Sequence, residues 1–283
     1  MKMNKTIKTI LPLAALAGLA GLGLTGTASA ALAAVDFNAG GTDTGFASAW
    51  NAWGGSSNLR PEATGDLTYA NYGIVQTGTG GKYYSNSNHP DRQDSSALSS
   101  SMSGDMWFSI LVNVEADGNF AGISFHSSAP SQAYFHSEAD LRVAMSDSKL
   151  LVDWGGNAFD TSPDVATGSF SAGTHLILGS MTVGVGNDTL SVWVDPDVNA
   201  AGSAAGLGAA DYTNSSVDFT DSITHVGMPG DRDTTAGGKV YMDAIRVSNN
   251  ASAFVDVTGV VPEPSTTALL GLGGLALILR RRK

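Results

Sequence analysis

The chain has 283 residues, of which only 14% are charged, with 35 glycines, no cysteine and a formal net charge of −11. That balance excludes a protein built around a phosphate backbone, which needs a basic face. The missing cysteines exclude a disulfide-stapled scaffold and a thiolate metal site, and so few Lys and Glu exclude a long coiled coil.

Residues 1–30 read as an export signal. Lys2, Lys5 and Lys8 precede an apolar stretch at 10–24. Ala28-Ser29-Ala30 then supplies a small-x-small cleavage site, with a second option at Ala31-Leu32-Ala33. The apolar stretch is short for a bilayer span of about 20 residues and leads directly into the small-residue sites, which favours cleavage over anchoring. Such a segment addresses a chain to the Sec translocon and signal peptidase.

Residues 31–260 read as one domain without helical period or internal repeat. Between Met106 and Glu115, alternate residues Met106, Phe108, Ile110, Val112 and Val114 form a continuous apolar stripe. The stripe predicts a strand with that face on the core and with Trp107, Ser109, Leu111, Asn113 and Glu115 on the other. Similar runs predict strands at 121–125, 141–145, 150–154, 175–183, 190–194, 223–227 and 240–247. Turn residues separate them at 116–119, 184–188 and Pro229-Gly230-Asp231. The Ser- and Asn-dense stretch at 85–103 and the Ala/Gly-rich stretch at 198–208 lack a strand pattern and are predicted as loops. Short strands with Gly/Asn/Asp punctuation, spaced too closely for crossover helices, predict an all-β antiparallel sandwich or barrel.

The last 23 residues are a third compartment. Pro262-Glu263-Pro264 precedes an apolar stretch at 266–279, and Arg280, Arg281, Arg282 and Lys283 close the chain. Physically this is a stop-transfer tail: a short apolar transmembrane helix, with the basic cluster left on the cytoplasmic side. Fourteen apolar residues are few for a full span, so the anchor is marginal or transient. The signal and the tail hold seven of the 15 Lys and Arg but only Glu263 of the 26 Asp and Glu. The domain between them therefore carries eight basic and 25 acidic residues, a net −17, and its acids are Asp apart from Glu62, Glu115 and Glu138. A domain of that charge stays soluble, repels anionic polymers at low salt and attracts cations.

The order Pro-Glu-Pro, apolar helix, Arg cluster resembles the PEP-CTERM sorting signal. The resemblance implies recognition by an exosortase that cuts near Pro262, Glu263 and Pro264. It also implies an exported protein, transiently anchored in the inner membrane and then released to the cell surface or extracellular matrix of a Gram-negative bacterium. The middle resembles the concanavalin A-like, LamG-type jelly roll, an all-β antiparallel two-sheet sandwich. The residues that carry this are Val35-Asp36-Phe37 with Gly45 and Trp50, Arg92 before Met106-Trp107-Phe108-Ser109, the run from Thr189 to Pro196, and the run from Val240 to Val247.

Several constellations could carry chemistry in such a sandwich. Hydrolases of that fold present Glu-x-Asp-x-Glu on one strand, so that alternate carboxylates share a groove. Here Glu115-Ala116-Asp117 ends in Asn119 and Glu138-Ala139-Asp140 runs into Leu141 and Arg142, so neither completes the triplet. The histidines, at 89, 126, 136, 175 and 225, lack zincin spacing. Tyr134 and His136 beside His126 offer the base and acid of a polysaccharide lyase; the alternative is histidines at a strand edge or loop. Asp195-Pro196-Asp197-Val198-Asn199 imitates the start of an EF-hand loop, but Ala200 and Gly206 occupy the positions that need Gly and Glu. Asp195, Asp197, Asp231 and Asp233 stay candidate oxygen ligands for a structural calcium ion, which the sandwich resemblance permits; the alternative is solvated acidic loops. Trp50, Trp53, Tyr72, Tyr83 and Tyr84 are candidate platforms for stacking on a sugar ring. The alternative for Trp50, and the expectation for Trp193, is a plug in the sandwich core. Together these point to an exported, non-catalytic sandwich domain that interacts with extracellular polysaccharide. A structural surface or biofilm protein without a defined ligand, and a polysaccharide lyase or hydrolase, are the alternatives.

Overall fold

A computed structural model describes residues 32–35, 51–52, 59–62, 65–74, 82–85, 92–115, 119–130, 139–146, 148–154, 164–231 and 239–260. Strands β1 (Leu32–Val35), β2 (Asn51–Ala52), β3 (Leu59–Glu62), β4 (Lys82–Ser85), β5 (Arg92–Met102), β6 (Gly104–Val114), β7 (Phe120–His126), β8 (Leu141–Ser146), β9 (Leu150–Trp154) and β10 (Val165–Thr167) come first in the chain. Then follow β11 (Gly173–Val183), β12 (Asp188–Val194), helix α1 (Val198–Ala201), β13 (Tyr212–Val217), β14 (Ile223–Asp231), β15 (Val240–Ser248) and helix α2 (Ala253–Thr258). They build two antiparallel sheets. One has the order β13-β12-β11-β6-β15-β4-β3, with β1 also on β15; the other runs β10-β9-β8-β7-β14-β5-β2. β1 and β4 share one edge of β15, pairing with Ile245–Ser248 and Val240–Met242 respectively.

The alternation read in β6 sets the layers. Met106, Phe108, Ile110, Val112 and Val114 all lie in the core between the sheets, with Ile123, Phe125, Val143, Val226 and Met228 from the opposite layer. Phe108 meets Phe125 edge to face, with centroids 5.0 Å apart. The other face of β6 is covered too. Leu111, Leu176 and Leu178 pack against Leu67, Tyr72, Val198, Phe254, Val257 and Val260 in a second core. The eight-stranded sheet is thus sandwiched between the other sheet and a layer made by residues 65–74, α1 and α2.

Three local expectations are corrected. Most of the Ser-rich stretch at 85–103 forms β5, an 11-residue strand, because its ladder with β14 and the inward side chains of Leu98 and Met102 outweigh the turn preference of serine. Pro229-Gly230-Asp231 is the end of β14 rather than a turn. The ladder to β7 skips Met228 and Pro229, where proline has no N–H to donate, and β5 carries the strand through on its other side. The loop at 198–208 holds α1 and a 3-10 turn at Ala204–Gly206, and Val198 is fully buried. The second helix, α2, was not expected at all. At four and six residues these helices are too short to show a 3.6-residue period.

Candidate functional site

Two outward sheet faces carry polar chemistry. On the seven-stranded sheet, Asp153, Arg142, Ser124, Gly227 and Ser95 are successive register partners across β9, β8, β7, β14 and β5. Arg142 Nη2 donates to Asp153 Oδ2. Two residues along from Ser124, His126 brings Nε2 to within 3.0 Å of the Ser124 hydroxyl. Asp153, Arg142, Ser124 and His126 are all at 0% exposure. His225 pairs with His126 in register, and burial pushes its pKa below the usual 6.5. This row includes one of the histidines of the lyase constellation; Tyr134 and His136 lie outside the described residues.

On the eight-stranded sheet an open groove of about 590 Å³ lies at the start of β6. Asp105 and Trp107 form one wall, Ser203 after α1 another, and Asn249, Asn250 and Ser252 before α2 the third. Trp107 is held from two sides. It stacks on Trp193 at 5.7 Å and 15°, and makes a T-shaped contact with Phe254 at 5.1 Å and 81°. The two tryptophans stand on β6 and β12, the strands that flank β11, so the stack reaches across β11. Trp193 therefore stands on the outer face, with its indole N–H on the Gly208 carbonyl at 3.3 Å, and does not plug the core between the sheets.

The groove's polar groups are oriented from behind. Thr182 donates to Asp105 Oδ1 at 2.8 Å. Asn250 donates through Nδ2 to Asp256 Oδ2 at 2.6 Å, and Asp256 also accepts from Ser248 and Ser252 hydroxyls. Asn249 Nδ2 donates to the Ser103 carbonyl at 3.3 Å. Among the described residues that line the groove none is Lys, Arg or His.

The candidates named from sequence fare differently. Tyr72 is no sugar platform: it is 5% exposed, and its hydroxyl reaches Ser109 Oγ at 2.8 Å and the Val257 carbonyl at 2.9 Å. Tyr83 and Tyr84 belong to β4, but their side chains lie outside the described residues, as do Trp50 and Trp53. Asp195 accepts from His175 Nδ1 at 2.6 Å and from the Leu176 N–H at 3.0 Å. Asp197 caps α1 by accepting from the Ala200 N–H at 2.9 Å. Among the described residues no group of three His, Asp or Glu is placed to hold a metal ion. The Asp231 side chain, Asp233, Ala28, Ala30, Pro262, Glu263, Pro264 and the basic cluster at 280–283 lie outside the described residues. Among the described residues no helix is long and apolar enough to cross a membrane. The sequence reading missed Trp107 as a groove wall. Its signal was an aromatic on the polar side of a strand, which gains meaning only once the register places a second tryptophan beside it.

Comparison with known proteins identifies residues 260–283 as the PEP-CTERM protein-sorting motif. No curated protein matches the chain. Among solved structures the chain is similar to a protein of unknown function from Shewanella oneidensis MR-1, with 11% identity, 78% of this chain and 87% of that chain covered, and a TM-score of 0.42. It is similar to the carbohydrate recognition domain of Emp47p at 9% identity, covering 78% and 95%, with a TM-score of 0.44. Lectin II from Ulex europaeus is similar at 10% identity, covering 68% and 93%, with a TM-score of 0.38.

Proposed function

We propose that the chain is an exported protein, processed by an exosortase and delivered to the cell surface or extracellular matrix of a Gram-negative bacterium, where its sandwich domain interacts with extracellular polysaccharide without catalysis. The observation that carries this reading is the sorting motif at 260–283, which begins at Val260, the last of the described residues. Val260 is packed in the second core at 6% exposure, and Pro262 is two residues further on. A cut near Pro262-Glu263-Pro264 would remove the apolar stretch and basic cluster and leave every described element intact.

The N-terminus supports the same processing. Cleavage after Ala30 leaves β1 whole, whereas cleavage after Ala33 would delete Leu32 and the fully buried Ala33 from a strand paired with β15. The non-catalytic half draws support from the missing carboxylate triplet and from the full burial of Arg142, Asp153, Ser124 and His126. Intact mass measurement of the exported protein tests the processing. The expected species begins at Ala31 and ends near residue 262; a species that keeps Arg280 to Lys283 overturns the reading.

A further inference from the structure

We propose that the groove beside Trp107 is the saccharide site of this domain, and that it takes neutral hexose units rather than uronates or sulfated sugars. The inference rests on the polysaccharide-binding reading above and gives it a place and a ligand class. A volume of about 590 Å³ falls in the usual range for a small-molecule site. Sugar rings are recognised by an aromatic surface that meets their C–H faces and by polar groups that meet their hydroxyls. Both are present. Trp107 supplies the aromatic wall, and its stack on Trp193 and T-shaped contact with Phe254 fix it before any ligand arrives, so binding forfeits little side-chain freedom.

The polar groups are set for hydroxyls. Asp105 uses Oδ1 for Thr182, and its second oxygen has no partner among the described residues. The Ser203 hydroxyl and the amide oxygen of Asn250 likewise have none, while the Asn250 amide is held in place by Asp256. A carboxylate oxygen, an amide oxygen and a hydroxyl on neighbouring walls match the paired hydroxyls of a pyranose.

Charge selects among saccharides. A groove with Asp105, no basic residue among the described residues that line it, and a domain at net −17 repels carboxylated and sulfated polymers and leaves neutral ones unopposed. A nucleotide or other phosphate ligand is disfavoured on the same ground.

The test is affinity electrophoresis and titration calorimetry of the exported protein with laminarin, dextran and galactomannan as neutral probes and alginate and polygalacturonate as anionic ones. The expected result is binding to at least one neutral polymer, and none to the anionic pair at low salt. Trp107→Phe keeps an aromatic in the wall, Asp105→Asn keeps the acceptor for Thr182, and Ser203→Ala alters an exposed, unbonded hydroxyl. Loss of one hydroxyl contact weakens binding about tenfold, so Asp105→Asn should lower affinity about tenfold and Ser203→Ala less, both with unchanged unfolding midpoints. Trp107→Phe, which shrinks the stacking surface, should also lower affinity, with a lower midpoint because the ring packs on Trp193 and Phe254. Neutral binding that all three variants leave untouched overturns the site but spares the polysaccharide reading. Preference for alginate overturns the ligand class. Failure to bind any of the five overturns the polysaccharide reading and the site with it.

Discussion

Gly179 lies beneath the Phe108 ring: a β-carbon on Gly179 would stand 2.1 Å from Cζ of that ring. The two are register partners on β11 and β6, and Phe108 reaches from there to Phe125 in the opposite sheet. The missing side chain lets one aromatic ring fold over its neighbour strand and still bridge the layers. Gly179→Ala should therefore destabilise the domain by about 1–3 kcal/mol through overpacking, read as a fall in the urea midpoint. Adding Phe108→Leu should make the Gly179→Ala penalty smaller than in the wild-type background, because the ring is what the methyl meets. Equal penalties in both backgrounds would sink this account.

His175 is poised as a cation inside the fold. Its Nδ1 faces Asp195 Oδ2 at 2.6 Å and its Nε2 faces the Ser171 carbonyl at 2.6 Å, and both partners are acceptors, so both ring nitrogens donate. Burial opposes the charge, but the hydrogen bond and charge of Asp195 and the Ser171 carbonyl outweigh it and raise the pKa above the usual 6.5. A group with a raised folded pKa stabilises fully below its unfolded pKa and loses that contribution as pH climbs through the folded one. Wild-type stability should thus decline as pH rises above about 6.5, and His175→Gln should remove that part of the slope. The penalty of the substitution should be larger at pH 6 than at pH 9 in urea unfolding. A penalty independent of pH would mean that packing, not charge, is what His175 supplies.

The strands were legible because period-2 alternation survives in them. β6, β8, β9 and β15 fall at or within a residue or two of their predicted bounds, since one face of each must be apolar. β5 was not, because Ser95 and Ser96 are buried with side chains too small to mark a face. The second core was half-legible: Leu111 stood on what looked like a polar face, and only the arrival of α2 and residues 65–74 explains it. The acidity was read as charge, but among the described residues much of it is backbone chemistry. Asp164, Asp188, Asp195, Asp197, Asp211 and Asp243 accept from main-chain N–H groups of Trp154, Gly184, Leu176, Ala200, Val194 and Leu67 respectively. The short Asp side chain suits local caps and turns of this kind, while Glu115 makes the equivalent contact across a longer reach, accepting from the Lys239 N–H at 3.0 Å. The groove was illegible because its walls come from three segments far apart in the chain.

Arg142 and Asp153 form an ion pair in which both side chains are at 0% exposure. Two charges out of water are tolerated there only while each compensates the other. Arg142→Met or Asp153→Leu alone should cost about 3–5 kcal/mol by stranding the remaining charge, whereas the double substitution should lie close to wild type. Chemical denaturation of the three variants measures the coupling directly. Additive single penalties would refute it.

Helix α2 is held at both of its faces and at its end. The Tyr72 and Ser109 hydroxyls reach the Val257 carbonyl at 2.9 and 2.7 Å. Phe254 packs on Trp107. Gly259 then takes a left-handed φ of 69°, and its backbone passes so close to Gly73 that a β-carbon on it would meet the Gly73 carbonyl carbon at 2.7 Å. Gly259→Ala meets both obstacles at once, an unfavourable backbone conformation and a contact with main chain that cannot rotate away, at a cost of about 1–3 kcal/mol. The strain falls on the end of α2, so it should loosen Phe254 from Trp107 before it disturbs the sheets. The expected outcome is a red-shifted tryptophan emission and faster proteolysis near α2 at a temperature where the β-sheet circular dichroism is unchanged. If emission and circular dichroism instead melt together, α2 unfolds only with the whole sandwich and this order of events is wrong.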